Sequence, residues 1–194
     1  MLDFRPVLYI IGILLTTLAA AMCAPLVADL VVGHPDWQVV AGSAGLTAFI
    51  GITLLLTTMA PPDRFSVRQA FVLTTLSWLA MTFFAALPFA FADLELSFTD
   101  AFFEAMSGLT TTGSTVMTSL DSAPSGILLW RAILQWLGGI GIIVMSIAIL
   151  PMLKIGGNQL FQMESSDRSE KVLPRVAQIA SGVGFIYLTL TAAC

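Results

Sequence analysis

Phe98–Thr115 reads FTDAFFEAMSGLTTTGST, a short apolar run that breaks off into five hydroxyl side chains around one glycine. Ser97 or Thr99 can cap a helix here, and Asp100 and Glu104 fall in its early turns, where carboxylates offset the positive N-terminal end. Ser97 to Leu109 is 13 residues, roughly 20 Å at 1.5 Å per residue against a hydrocarbon thickness of about 30 Å. Such a helix cannot cross a bilayer, and the expectation is a re-entrant helix that enters, stops near mid-depth and returns.

The stretch after it, Thr110-Thr111-Thr112-Gly113-Ser114-Thr115, is β-branched and hydroxylated, a poor continuation of a helix and a better extended strand. Lipid cannot satisfy the carbonyls of non-helical backbone, so at membrane depth they must lie inside protein or face water. A dehydrated cation is a partner for them, and the negative C-terminal end of the preceding helix points the same way. The segment therefore reads as a pore helix followed by an ion filter. The plainer alternative is that the hydroxyls only bond back onto a helical backbone.

The surroundings suit a membrane. The chain is 57% hydrophobic and 10% charged, with a mean hydropathy of +0.93, outside the range of soluble globular domains. Uncharged runs of 23 residues (between Arg5 and Asp29), 26 (Asp36 to Asp63), 24 (Arg68 to Asp93) and 22 (Arg131 to Lys154) are each long enough to cross. The first is too long for a cleaved signal segment. The fold class is thus all-α integral membrane: a two-helix hairpin over 1–60, a helix, pore loop and helix unit over 61–153, a polar loop over 154–175, and over 176–194 the start of a further crossing that stops unfinished. Pro88 is expected to bend the third crossing. Gly42, Gly45 and Gly51 are assigned to close helix approach, and Gly138, Gly139 and Gly141 to packing or to a bend.

Charge gives a direction. Arg5, Arg64, Arg68, Lys154, Arg168, Lys171 and Arg175 fall on one side of this topology and Arg131 alone on the other, which puts the N-terminus in the cytoplasm. The pore loop then dips from outside, and Asp29, Asp36, Asp93, Glu95, Asp100, Glu104 and Asp121 lie toward an entrance where acidic groups attract cations. Cys23, Cys194 and His34 suggest neither a disulfide nor a metal centre. Nothing assembles a nucleophile, base and metal, so no enzyme is expected.

Ala101–Thr115 (AFFEAMSGLTTTGST) resembles the first pore loop of the TrkH/KtrB superfamily of potassium transporters. Trp130–Leu153 is similar to the inner helix after it, and Gly156–Ser165 to the following loop. The two leading helices place the resemblance in the TrkH branch. It implies a potassium uptake protein of the bacterial inner membrane, dimeric when complete, with no cofactor beyond the transported K⁺ and no nucleic acid. It also implies membrane lipid around it and a nucleotide-binding regulatory subunit, TrkA-like, on its cytoplasmic face. By the same resemblance the carbonyls of Thr111, Thr112, Gly113 and Ser114 replace the ion's water, with Thr111 and Thr112 matching the K⁺-binding pair most directly. Thr115 stands where channel filters carry a second glycine, which implies a looser filter. The family carries four such loops in one polypeptide, whereas one is found here. Two alternatives stay open: a tetrameric cation-channel subunit with one pore loop per chain, and a non-conducting membrane scaffold.

Overall fold

The computed structural model describes residues 4–58, 67–118, 120, 123–149, 182, 184–191 and 193. It divides into a unit of Met1–Gly138 and a unit of Gly139–Cys194. In order come α1 (Arg5–Ala21), α2 (Cys23–Val32), α3 (Trp37–Thr57), α4 (Val67–Ala85), α5 (Leu87–Phe91), α6 (Phe98–Leu109) and α7 (Ser125–Ile149). In the second unit, 184–191 is helical. No strand occurs among the described residues. Four stretches among them are long and apolar enough to cross a membrane: Arg5–Val32, Trp37–Thr57, Arg68–Phe91 and Ser125–Ile142. The expected loop over 154–175 lies outside the described residues.

Two crossings are broken, each next to a proline. Pro25 offers no N–H to the carbonyl one turn back and its ring crowds it, so α1 gives way to α2 at Met22. Pro88 sits in the first turn of α5 and separates it from α4 at Ala86, as expected for that residue. The break leaves the Ala85 carbonyl to accept from the indole N–H of Trp130 at 3.0 Å, which joins α4 to α7 in the core.

Within a bilayer, helices associate through close packing rather than release of water. In the first unit α1 packs on α3 and α4, α2 on α3, and α6 on α4 and α5. Trp130, Phe89, Leu15, Leu18, Met22 and Leu134 are its large buried apolar groups. Of the three α3 glycines assigned to close helix approach, one makes it. Gly51 does meet α1, where a Cβ would come within 2.9 Å of the Thr16 backbone nitrogen, and its partner there is Gly12. Gly42 and Gly45 face open space. The inward stripe of α3 is Val40, Ser43, Thr47 and Gly51, and 42 and 45 fall off it.

The start of α7 is tied to the end of α2 across 97 positions: the Gly126 N–H donates to Asp29 Oδ1 at 2.9 Å. Asp29 is fully buried, and its other oxygen has no partner among the described residues. Only glycine fits at 126, because a Cβ would run into that carboxylate. A carboxylate at the N-terminus of a 25-residue helix is electrostatically well placed.

Candidate ion filter

Of the two candidate caps, Ser97 begins α6. Its Oγ accepts from the Asp100 N–H at 3.2 Å, and the Asp100 carboxylate accepts from the Ser97 N–H at 3.3 Å, a reciprocal capping box. Twelve residues make α6 roughly 18 Å long, too short to cross. Ala101, Ala105, Ser107, Gly108 and Leu109 are buried. Its C-terminal end is pressed against α7: the Cβ position of Gly108 lies 3.0 Å from Leu134 Cβ, and a side chain at Gly138 would overlap the Leu109 carbonyl. Of Gly138, Gly139 and Gly141, Gly138 is thus a packing residue, while Gly141 meets nothing among the described residues.

The helix then closes on itself before it releases the chain. The Thr111 N–H donates to the Gly108 carbonyl at 2.9 Å and the Thr112 N–H to the Ser107 carbonyl at 3.0 Å. These two bonds, with a left-handed residue between helix and exit, make a Schellman closure. Glycine usually occupies the left-handed position; here it is Thr111, at φ 59°. A β-branched residue there is strained, by about 1–2 kcal/mol, and such strain collects at functional sites. Gly113 is left-handed as well, at φ 76°. From Thr112 to Met117 the chain has no regular structure. The extended strand expected from Thr110 is therefore corrected: a turn precedes it, and two left-handed residues two apart interrupt it.

Thr111, Thr112, Gly113 and Ser114 are all exposed, and their carbonyls differ. Those of Thr111 and Thr112 accept no hydrogen bond among the described residues. Among the described residues the Gly113 carbonyl has only the Arg131 guanidinium, at 3.5 Å. The Ser114 carbonyl is held twice, by Ser107 Oγ at 2.6 Å and Arg131 Nη2 at 3.2 Å. The plainer reading of the hydroxyls fits Thr110, which donates to the Met106 carbonyl at 2.8 Å. It does not fit Thr115, which donates to Glu104 at 2.6 Å.

Glu104 is the residue the sequence misplaced. Far from offsetting the start of α6 or facing an entrance, it is fully buried. Its Oε1 accepts from Thr115 Oγ1 and Val116 N, both at 2.6 Å, and from Met117 N at 3.3 Å. Its Oε2 accepts from Arg131 Nε at 2.8 Å. One carboxylate thus joins α6, the returning loop and α7. Two signals pointed this way: Glu104 lies beyond the first turn, where the helix end no longer favours it, and Arg131 stands alone on its side of the topology. Removing one partner of a buried ion pair costs about 3–5 kcal/mol.

The acidic entrance shrinks accordingly. Asp93, Glu95 and Asp100 line a polar cavity of about 470 Å³ beside Val116 and Thr118. Asp29 and Glu104 are buried and do not belong to it. Asp36 is buried too; burial, then Asp29 and Asp93, push its carboxyl above the ordinary 3.8, while His34 opposes them. Asp121 lies outside the described residues. No group of three or more metal-binding side chains occurs among the described residues.

A family model described as TrkH, cation transport protein, matches residues 38–194. The chain is 44% identical over 188 residues to the Trk system potassium uptake protein TrkI of Halomonas elongata, covering 97% of this chain and 38% of that protein. Against TrkH of Escherichia coli strain K12 the identity is 37% over 196 residues, covering 100% and 41%. The crystal structure of the potassium transporter TrkH from Vibrio parahaemolyticus superposes with a TM-score of 0.84 at 36% identity, covering 100% of this chain and 38% of that one. The chain spans about two fifths of the length of the curated relatives named here.

Proposed function

The chain belongs to the TrkH family of cation transport proteins, and from that premise we propose that it supplies one of four pore loops to a potassium uptake protein. The observation that carries this reading is the pair of exposed carbonyls at Thr111 and Thr112, without a partner among the described residues, next to the left-handed Thr111 and Gly113. Irregular backbone of this kind needs partners at membrane depth, and K⁺ supplies them. The relatives with matching sequence are named as potassium uptake proteins, which favours K⁺ as the ion. The ring that replaces a cation's hydration shell needs several loops, so the other three come from the rest of the polypeptide.

In this reading the protein lies in the inner membrane with a cytoplasmic N-terminus, supported by the seven-to-one distribution of basic residues. Asp93, Glu95 and Asp100 then raise the local cation concentration at the outer mouth. A homodimer, and a nucleotide-binding regulatory subunit on the cytoplasmic face, complete the assembly. The test is rubidium or potassium uptake by the intact protein in cells lacking their own uptake systems. Uptake supports the conductor, and none, with the protein present in the membrane, supports the scaffold. Residues 1–194 expressed alone insert but conduct nothing; potassium-selective currents from that piece would establish the one-loop tetramer instead.

A further inference from the structure

We propose that Glu104, Arg131 and Ser107 are positioning residues that decide which carbonyls this loop presents to the ion: they withdraw Ser114, engage Gly113 only through the long Arg131 contact at 3.5 Å, and leave Thr111 and Thr112 open. This rests on the reading of the loop as an ion filter. Ser107 Oγ belongs to the pore helix, so the carbonyl it holds at 2.6 Å is directed back toward that helix rather than along the free edge of the loop. Arg131 fixes the same oxygen from α7 at 3.2 Å. Its own position is set by Glu104, which at the same time binds the backbone N–H groups of Val116 and Met117. A guanidinium bound to a filter carbonyl competes with any cation for it. The four filter positions named from the sequence are therefore unequal, and the fourth is a protein-held anchor.

A carbonyl released from this anchor becomes a ligand whose place the protein no longer sets, free to close around the smaller Na⁺. The experiment compares K⁺ and Na⁺ uptake in the intact protein for Ser107→Ala, Arg131→Gln and Arg131→Lys, with membrane abundance and melting temperature measured on each. Ser107→Ala removes one hydroxyl and leaves the buried ion pair intact, so it keeps the test meaningful where Arg131→Gln reduces folded protein. The expected result is a loss of K⁺ over Na⁺ discrimination of about tenfold in Ser107→Ala and Arg131→Gln, the size of one hydrogen bond to a charged or strongly held group. Arg131→Lys, which keeps the charge without the fork, loses less. A wild-type ratio in both Ser107→Ala and Arg131→Gln, whatever their stability, overturns the proposal. Gly113→Ser separates the two layers: if it alters the ratio while the anchor variants do not, only the anchor fails, and if none of them alters it, the filter reading fails as well.

Discussion

Replacing Gly113 by serine tests the proposed filter at its least forgiving point. The residue sits at φ 76°, a conformation in which a side chain is strained by about 1–2 kcal/mol. Space adds little to this: a Cβ at 113 would come within 3.2 Å of Gln135 Nε2, the movable end of a flexible side chain. The fold therefore survives and the strain is relieved locally, by rotation of the backbone that carries the Thr112 and Gly113 carbonyls. If that energy falls on the K⁺-bound state and not on the Na⁺-bound one, discrimination drops by a factor of roughly 5–30, since 1.4 kcal/mol is tenfold. The assay is uptake of both ions by the intact protein at matched abundance, with Gly42→Ala, whose site is open, as the control. Unchanged selectivity with a lowered melting temperature would refute the reasoning, because it would make Gly113 a packing residue.

Thr111→Gly runs the other way: it removes left-handed strain, so the melting temperature rises while the loosened turn lowers K⁺ selectivity, read by the same two measurements. Gly138→Ala drives a methyl group into the Leu109 carbonyl and should destabilise by about 1–3 kcal/mol, seen as lost folded protein on detergent size exclusion. Trp130→Phe loses the bond to the Ala85 carbonyl and about 1 kcal/mol, a drop in melting temperature with ion selectivity retained. For Asp36, whose carboxyl is raised above 3.8 in the fold, stability is fully present below 3.8 and is lost as pH rises through the folded value. Asp36→Asn should therefore flatten the fall in melting temperature between pH 4 and neutrality, and an unchanged slope would remove burial as the cause.

The fold was legible because its strongest signals are composition and length: uncharged runs of more than 20 residues have few alternatives to crossing helices, and a 13-residue run followed by TTTGST cannot be one of them. Pro88 announced its break because a missing N–H is a local property. Partners were not legible. Glu104 and Arg131 are 27 positions apart and meet only after the loop has turned back; the lone Arg131 and the depth of Glu104 in its helix hint at a buried pair, but spacing does not say which carboxylate Arg131 meets. The same holds for Gly12 against Gly51, where the choice among several glycines depends on which stripe of α3 faces α1. In the loop, Gly113 advertised its left-handed backbone, whereas Thr111 hid an equal one behind a side chain that disfavours it.

The tie between Asp29 and Gly126 also sets an order of assembly. At a synthesis rate of about 5–20 residues per second, the 97 positions separating donor from acceptor take roughly 5–20 s to emerge. Throughout that interval the carboxylate lacks its partner and must remain hydrated at the membrane boundary, since leaving it bare inside protein is costly. The leading hairpin can pair early along the Gly12 and Gly51 seam, but its Asp29 end stays wet until the first turn of α7 arrives to cover it.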